Sequence, residues 1–325
     1  MKLTLEQIKS ITLGAVDIWE EDGYVRFSRF YPKQLDIYKE YFYKKAMSTA
    51  GVQFCFRTDS QTLSLKVWIE PGASSQLFTI DVFADGNCIG SMENPEDGQL
   101  GEFSGNFSLG KGEKLVTVYL PWSVIVKLEA MELEAGATLQ PVRPAKNLLV
   151  YGDSITQGYF AKQNALRYVA QLAKLLDAQE HNRAVGGEIY CAKLAQLEEM
   201  ENPDYVSIAY GTNDWNTVEQ GYFVEQCGRF VKTISEKYPK AQIFVLTPIW
   251  RKDLANEKPF GPFADVEKCI RACCEGLSNV QVIRGFDLVP KEPAYFKDEV
   301  LHPNDAGFTH YGENLCKEIG SLLEK

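Results

Sequence analysis

The spacing of apolar residues changes once along this 325-residue chain, near residue 140, and each half admits a different kind of layer. Before that point the period is two. Leu63, Leu65, Val67 and Ile69 alternate with Ser64, Lys66, Trp68 and Glu70. Phe78, Ile80, Val82 and Ala84 repeat the pattern, as do Val116, Val118 and Leu120. A strand with one buried face gives this alternation. Turn signals separate the runs at Asp22-Gly23, Asp85-Gly86 and Gly110-Lys111-Gly112. Residues 1–140 are therefore expected to form an antiparallel β-sandwich, with a short helix over Leu5 to Ile11. Gly136 to Lys146, with Pro141 and Pro144, reads as a packed link.

From residue 146 to 325 strands and helices alternate. Strands are expected at Leu148–Tyr151, near Glu180–Val185, at Tyr205–Tyr210, Ile243–Leu246 and Val280–Ile283. Helices are expected over 165–176, 189–200, 223–238, 264–276 and 311–323. Such alternation predicts an α/β domain, a parallel sheet with helices on both faces, whose ligands bind at the carboxyl ends of the strands.

The net charge is -10, from 34 basic and 44 acidic residues, so nucleic acid and anionic membrane surfaces are poor partners. No apolar run approaches the roughly 20 residues of a membrane span. No export segment is visible, and the eight cysteines lack short paired spacings, so they read as reduced thiols of a cytoplasmic protein. Cys269, Cys273 and Cys274 share a predicted helix with no histidine close by; they read as small buried side chains, and no metal is expected.

The chemistry gathers where strands end. Asn147-Leu148-Leu149-Val150-Tyr151 runs into Gly152-Asp153-Ser154-Ile155-Thr156-Gln157-Gly158, which lifts one hydroxyl off the end of a sheet. Such a serine needs a base. Of three histidines, His302 stands in a polar loop, Glu299-Val300-Leu301-His302-Pro303-Asn304-Asp305, before the last predicted helix. Asp298 and Glu299 both precede it closely enough to orient its ring, and spacing alone does not choose. Donors for a developing oxyanion come from the Ser154 N–H, from Gly186-Gly187 and from the Asn213 amide, each beyond a predicted strand.

Taken in order, Gly152-Asp153-Ser154-Ile155-Thr156, Asn182 through Gly187, Gly211-Thr212-Asn213-Asp214 and His302-Pro303-Asn304 resemble the four blocks of the SGNH (GDSL-type) hydrolases. The resemblance covers about residues 146–325. It implies a flavodoxin-like three-layer α/β/α fold with a five-stranded parallel sheet, and ester hydrolysis through an acyl-serine without metal or organic cofactor. By position it makes Ser154 the nucleophile, His302 the base, and Ser154 N–H, Gly187 N–H and Asn213 the oxyanion donors. The family's aspartate stands three residues before the histidine, a position held here by Glu299, so Glu299 is expected to orient His302. Some relatives use a backbone carbonyl instead. The first half resembles, less specifically, the sandwich domains that precede the hydrolase in some carbohydrate esterases, which makes a small acylated oligosaccharide the favoured substrate.

Other polar residues have plainer expected roles. Asp153 should bond turn amides, His181 and His310 should be structural, and Glu198-Glu199-Met200-Glu201 should be a solvated helix end. Tyr159, Phe160, Trp215 and Trp250 suit a pocket wall and ordinary packing equally.

Overall fold

The computed structural model describes residues 1–38 and 41–324. In the first half, two antiparallel sheets face each other. One runs in the order Asp17–Glu21, Tyr24–Ser28, Val124–Leu133, Thr62–Pro71, Gly101–Ser108. The other runs Thr12–Leu13, Gln53–Thr58, Lys114–Tyr119, Thr79–Ala84, Asn87–Glu93, with Gln140–Pro141 added beside Gln53–Thr58. The alternating apolar residues meet between them: Leu63, Leu65, Val67 and Ile69 from one sheet join Phe54, Ile80, Val82, Val116 and Val118 from the other in a single buried cluster. This is the expected sandwich. Leu5–Ile11 is helical, capped by the Thr4 side chain on the Gln7 N–H.

The second half is a five-stranded parallel sheet of β1 (Lys146–Gly152), β2 (Ala178–Asn182), β3 (Tyr205–Ala209), β4 (Gln242–Leu246) and β5 (Val280–Ile283), in the order β2-β1-β3-β4-β5. Strand β1 shows why both faces are covered. Leu148 and Val150 enter the cluster that holds helices Tyr168–Leu175 and Asp305–Leu323, while Leu149 and Tyr151 enter the one that holds Ala192–Gln196, Gln220–Lys237 and Ala264–Cys274. A strand with no polar face must be buried on both sides, which gives three layers. The order reverses beside β1, so its carboxyl end opens onto the crevice typical of such sheets.

The two halves share a polar and apolar interface. Ala50, Ala73 and Trp122 of the sandwich belong to the same buried cluster as the helices on one face of the parallel sheet. Arg29, wholly buried, donates to the carbonyls of Ser48 (2.7 Å) and Lys45 (3.0 Å) on its own side and of Asn182 (2.7 Å) across the interface. Burial, reinforced by the nearby Arg183 charge, pushes its pKa down to about 9. Gln34 donates to Glu199 at 3.0 Å, and the same carboxylate takes a forked pair from Arg183 at 2.7 and 2.8 Å.

That ion pair corrects one expectation. Glu199 is buried rather than solvated, and the helix expected over 189–200 is confined to Ala192–Gln196. Drawing Glu199 inward onto Arg183 takes the chain out of helical geometry from Leu197, which is extended. Helices Pro32–Tyr38, Tyr43–Met47 and Thr212–Thr217 were not foreseen, and the last helix starts at Asp305, capped by Asn304 on the Gly307 N–H.

Candidate active site

Strand β1 ends at Gly152, where a Cβ would lie 2.2 Å from Thr156 Oγ1 and 2.9 Å from the Ala209 carbonyl oxygen. Only glycine lets the chain turn this close to β3. Asp153 caps the next turn by accepting the Ile155 N–H at 2.9 Å. Burial, partly offset by the Ile155 and Thr156 N–H groups, raises its pKa to about 6. It serves the turn amides, as its sequence position suggests. Ser154 opens the short helix Ser154–Gln157, closed by Gly158 at φ 110°. The serine N–H, at the start of a helix, has no acceptor within the helix itself.

His302 comes from the far end of the chain. Its loop is tied by Lys297 N–H to the His302 carbonyl (2.8 Å) and by Asn304 N–H to the Tyr295 carbonyl (3.0 Å). Ser154 Oγ lies 2.9 Å from His302 Nε2. The rings of Tyr159 and Phe160 pack at 4.9 and 5.8 Å from the imidazole, between centroids.

The carboxylate on the other ring nitrogen is Asp298, with Oδ2 2.6 Å from Nδ1. The expectation of Glu299 is thereby corrected. Asp298 Oδ1 also accepts the N–H groups of Val300, Leu301 and His302 at 3.0, 2.8 and 3.0 Å. Burial disfavours the charge, but these bonds and the imidazole outweigh it and hold the acid well below the ordinary carboxylate range. Glu299 occupies the left-handed position of the same turn at φ 58° and is exposed. The short aspartate side chain can fold over its own backbone and still reach the ring, whereas glutamate one residue later is carried away by the reversal.

The Gly186-Gly187 loop follows β2. Gly186 N–H donates to Gln157 Oε1 at 2.7 Å, and Gly187 has φ 92°. Beyond β3, Asn213 uses one amide hydrogen on the Glu188 carbonyl at 3.0 Å, which fixes the side chain and leaves the other hydrogen to give. Asp214 accepts the Gly211 and Tyr190 N–H groups at 3.0 Å each, joining the two loops, and burial raises its pKa to about 7. The loops after β1, β2 and β3 and the His302 loop thus meet at the carboxyl end of the sheet. Among the described residues no group of three or more His, Cys, Asp or Glu side chains is placed to hold a metal.

Residues 150–309, which carry every one of these groups, match the sequence model of the GDSL-like lipase/acylhydrolase family. The second domain belongs to that family. This GDSL-like acylhydrolase is an enzyme of the carboxylic ester hydrolase class. No curated protein sequence matches it. Its two-domain fold is similar to a salicylyl-acyltransferase from a tetracycline biosynthetic pathway (TM-score 0.79, 22% identity, 96% of this chain and 94% of that one). It is also similar to a candidate GDSL-like lipase from Bacteroides ovatus (0.78, 18%, 100% and 98%). A family two carbohydrate esterase from Cellvibrio japonicus follows (0.68, 17%, 100% and 98%).

Three features of the acylhydrolase site escape sequence reasoning. Asp298 is one of two candidates in the sequence, and the family register points to its neighbour, although the capacity of aspartate for such turns is a usable signal. Gln157 lies within the serine motif, yet its buried amide serves the Gly186 N–H. The sandwich residues Phe42 and Lys45 reach Gly187 from more than a hundred residues away, with no local signal at all. Of the four aromatics, Trp215 is core, wholly buried with its Nε1 donating 2.8 Å to the Gly261 carbonyl. His181 is half-buried beside Asn147 Oδ1 at 3.0 Å, and desolvation lowers its pKa to about 4.

Proposed function

We propose that this enzyme hydrolyses short-chain acyl esters, acetyl above all, carried by small oligosaccharides, with Ser154 as nucleophile, His302 as base and Asp298 as the group that orients the base. The observation that carries this is the unbroken chain Asp298 Oδ2, His302, Ser154 Oγ at 2.6 and 2.9 Å. Asp298 accepts Nδ1–H, which leaves the Nε2 lone pair facing the serine hydroxyl. His302 Nε2 takes that proton as Oγ bonds to the ester carbonyl carbon. The carbonyl oxygen becomes an oxyanion held by Ser154 N–H, Gly187 N–H and the free Asn213 amide hydrogen. The intermediate collapses, the bond to the alcohol oxygen breaks, and the imidazolium returns its proton to that oxygen. Water, deprotonated by the same nitrogen, then bonds to the acyl carbon; the bond to Ser154 Oγ breaks, the imidazolium returns its proton to Oγ, and the acid leaves.

The substrate class rests on two supports. A cleft of about 560 Å³ runs between the domains beside the His302 loop, lined in part by Asn94, Glu93, Trp122, Phe160, Lys162 and Lys297. Its mix of aromatic and polar walls suits a sugar alcohol better than a long alkyl chain. The second support is company: similar folds include a Clostridium thermocellum family two carbohydrate esterase in complex with cellohexaose and an acetyl xylan esterase from Butyrivibrio proteoclasticus. The likeness to an acyltransferase favours one variation, in which an alcohol replaces water in the second step.

The test compares acetyl, butyryl and octanoyl nitrophenyl esters and acetylated xylo-oligosaccharides on the wild type and Ser154→Ala. The reading expects acetyl to be fastest and every rate to fall to background in the variant. Equal rates in both proteins would remove Ser154 as nucleophile, and an octanoyl preference would remove the substrate class. Products analysed with an added acceptor alcohol separate hydrolysis from transfer.

A further inference from the structure

The peptide between Gly186 and Gly187 is held from the other domain. Lys45 Nζ donates to the Gly186 carbonyl at 2.8 Å. It stands on the short helix Tyr43–Met47 and lies 4.9 Å from the centroid of the Phe42 ring. On the other side of the same glycine, the Gly186 N–H is taken by Gln157, whose amide donates to Ser48 Oγ (3.0 Å) and the Trp122 carbonyl (2.9 Å). Ser48 and Trp122 are also sandwich residues. A Cβ on Gly186 would lie 3.5 Å from Ser154 Cβ and 3.7 Å from Lys45 Cδ, so nucleophile and lysine flank one glycine. A Cβ on Gly187 would lie 3.2 Å from Phe42 Cε1 and 3.7 Å from Lys45 Nζ.

The geometry has a chemical consequence. The peptide is trans, so its carbonyl and the Gly187 N–H point to opposite sides. A cation on the carbonyl oxygen fixes the plane of the peptide and draws electron density from the nitrogen, which makes the N–H a stronger donor. Lys45 is half-buried, and burial lowers its proton affinity. A lysine kept in such surroundings with its charge turned on one carbonyl serves that carbonyl.

We propose that Lys45 of the sandwich is a positioning residue for catalysis in the other domain: it presents and polarises the Gly187 N–H toward the tetrahedral oxygen. The sandwich is then part of the oxyanion site and not a detachable binding module. This rests on the reading of Gly187 and Asn213 as oxyanion donors.

The full chain is assayed as wild type, Lys45→Met, Lys45→Arg and Asn213→Ala, with nitrophenyl acetate kinetics and inhibition by phenylboronic acid, whose tetrahedral serine adduct places an oxygen where the oxyanion forms. Loss of an oxyanion donor itself costs about 10²–10³ in kcat, so loss of the group behind one is expected to cost about tenfold or more. Lys45→Met should lower kcat by that factor with KM nearly unchanged, weaken the boronate by a similar factor, and be largely rescued in Lys45→Arg. Should Lys45→Met not fold, Lys45→Gln carries the same expectation. Unchanged kcat and boronate affinity, or a loss seen in KM alone, overturns the role of Lys45. If Asn213→Ala loses both while the lysine variants lose neither, the Lys45 proposal alone fails. If Asn213→Ala also loses neither, the oxyanion assignment beneath it fails.

Discussion

Replacing Asp298 by Asn exchanges one carboxylate oxygen for an NH₂ group and tests which carboxylate orients His302. One side-chain oxygen of Asp298 already receives three backbone N–H groups, at 2.8 to 3.0 Å. In the variant those donors claim the amide oxygen, because an NH₂ turned toward them would meet only hydrogens. The NH₂ is therefore forced toward His302 Nδ1, where the carboxylate oxygen lay at 2.6 Å. A donor there selects the tautomer with the proton on Nε2, so the nitrogen 2.9 Å from Ser154 Oγ can no longer accept its proton. The loop should survive, since its three N–H bonds persist. The loss expected for a wrong tautomer is about 10⁴ in kcat. That corresponds to about 5.5 kcal/mol of barrier. KM should move little, because Asp298 stands behind the imidazole. Glu299→Gln, at an exposed position, should stay within about twofold, the effect of a distant surface charge. The register of the family motif favours the opposite ordering. Steady-state kinetics on nitrophenyl acetate at mildly alkaline pH, with circular dichroism to confirm folding, decides the matter. The reasoning is refuted if Asp298→Asn keeps most of its activity, or if Glu299→Gln proves the more damaging change.

Two further outcomes follow from buried groups at the interface. Glu188 is enclosed by the hydroxyls of Tyr38 (2.5 Å) and Tyr210 (3.1 Å), and burial raises its pKa to about 8. An acid whose folded pKa lies above its unfolded value of about 4.3 contributes stability that is complete below that value and is lost as pH rises through about 8. Melting temperatures of wild type and Glu188→Gln from acid to alkaline pH should therefore show the variant gaining on the wild type as pH rises; parallel curves would count against a protonated Glu188. Arg29→Leu strands carbonyls of Ser48, Lys45 and Asn182 in the interior, and at about 1–3 kcal/mol for each unsatisfied group the loss should be on the order of 3 kcal/mol or more. Urea unfolding that shifts by less than about 1 kcal/mol would show that water replaces the guanidinium at little cost.

What could be read from the sequence was periodic or compact. Leu148-Leu149-Val150-Tyr151, apolar on both faces, placed β1 to within two residues at either end, and Leu63 to Ile69 placed a sandwich strand and its buried side. The serine and histidine motifs are short and self-contained, and they meet where the topology of a parallel sheet requires. Failures arose where a distant residue decided the local conformation. Nothing near Glu199 announces Arg183 and Gln34 as its partners, so a solvated helix end was expected where the chain turns inward. Residues 32–47 lack a long periodic face, because their two short helices are shaped around Val185 and the Gly186-Gly187 loop instead. Asp298 was a near miss of a different kind. The motif register pointed one residue further on, while the hydrogen-bonding reach of an aspartate over its own turn settled the geometry.

The way Arg29 and Gln157 stitch the halves together also bears on how the molecule is made. Arg29 meets Asn182 from 153 positions away, and Ser154 meets His302 from 148 positions away. Contacts this remote in sequence close late and slowly, since large chain loops must be ordered before they are rewarded. During synthesis the serine turn can form as soon as its strand finds neighbours, but it has no base until nearly the whole polypeptide has emerged. On the proposed reading of Ser154 and His302, the nascent chain is silent toward esters, and the onset of activity reports the closure of these remote contacts.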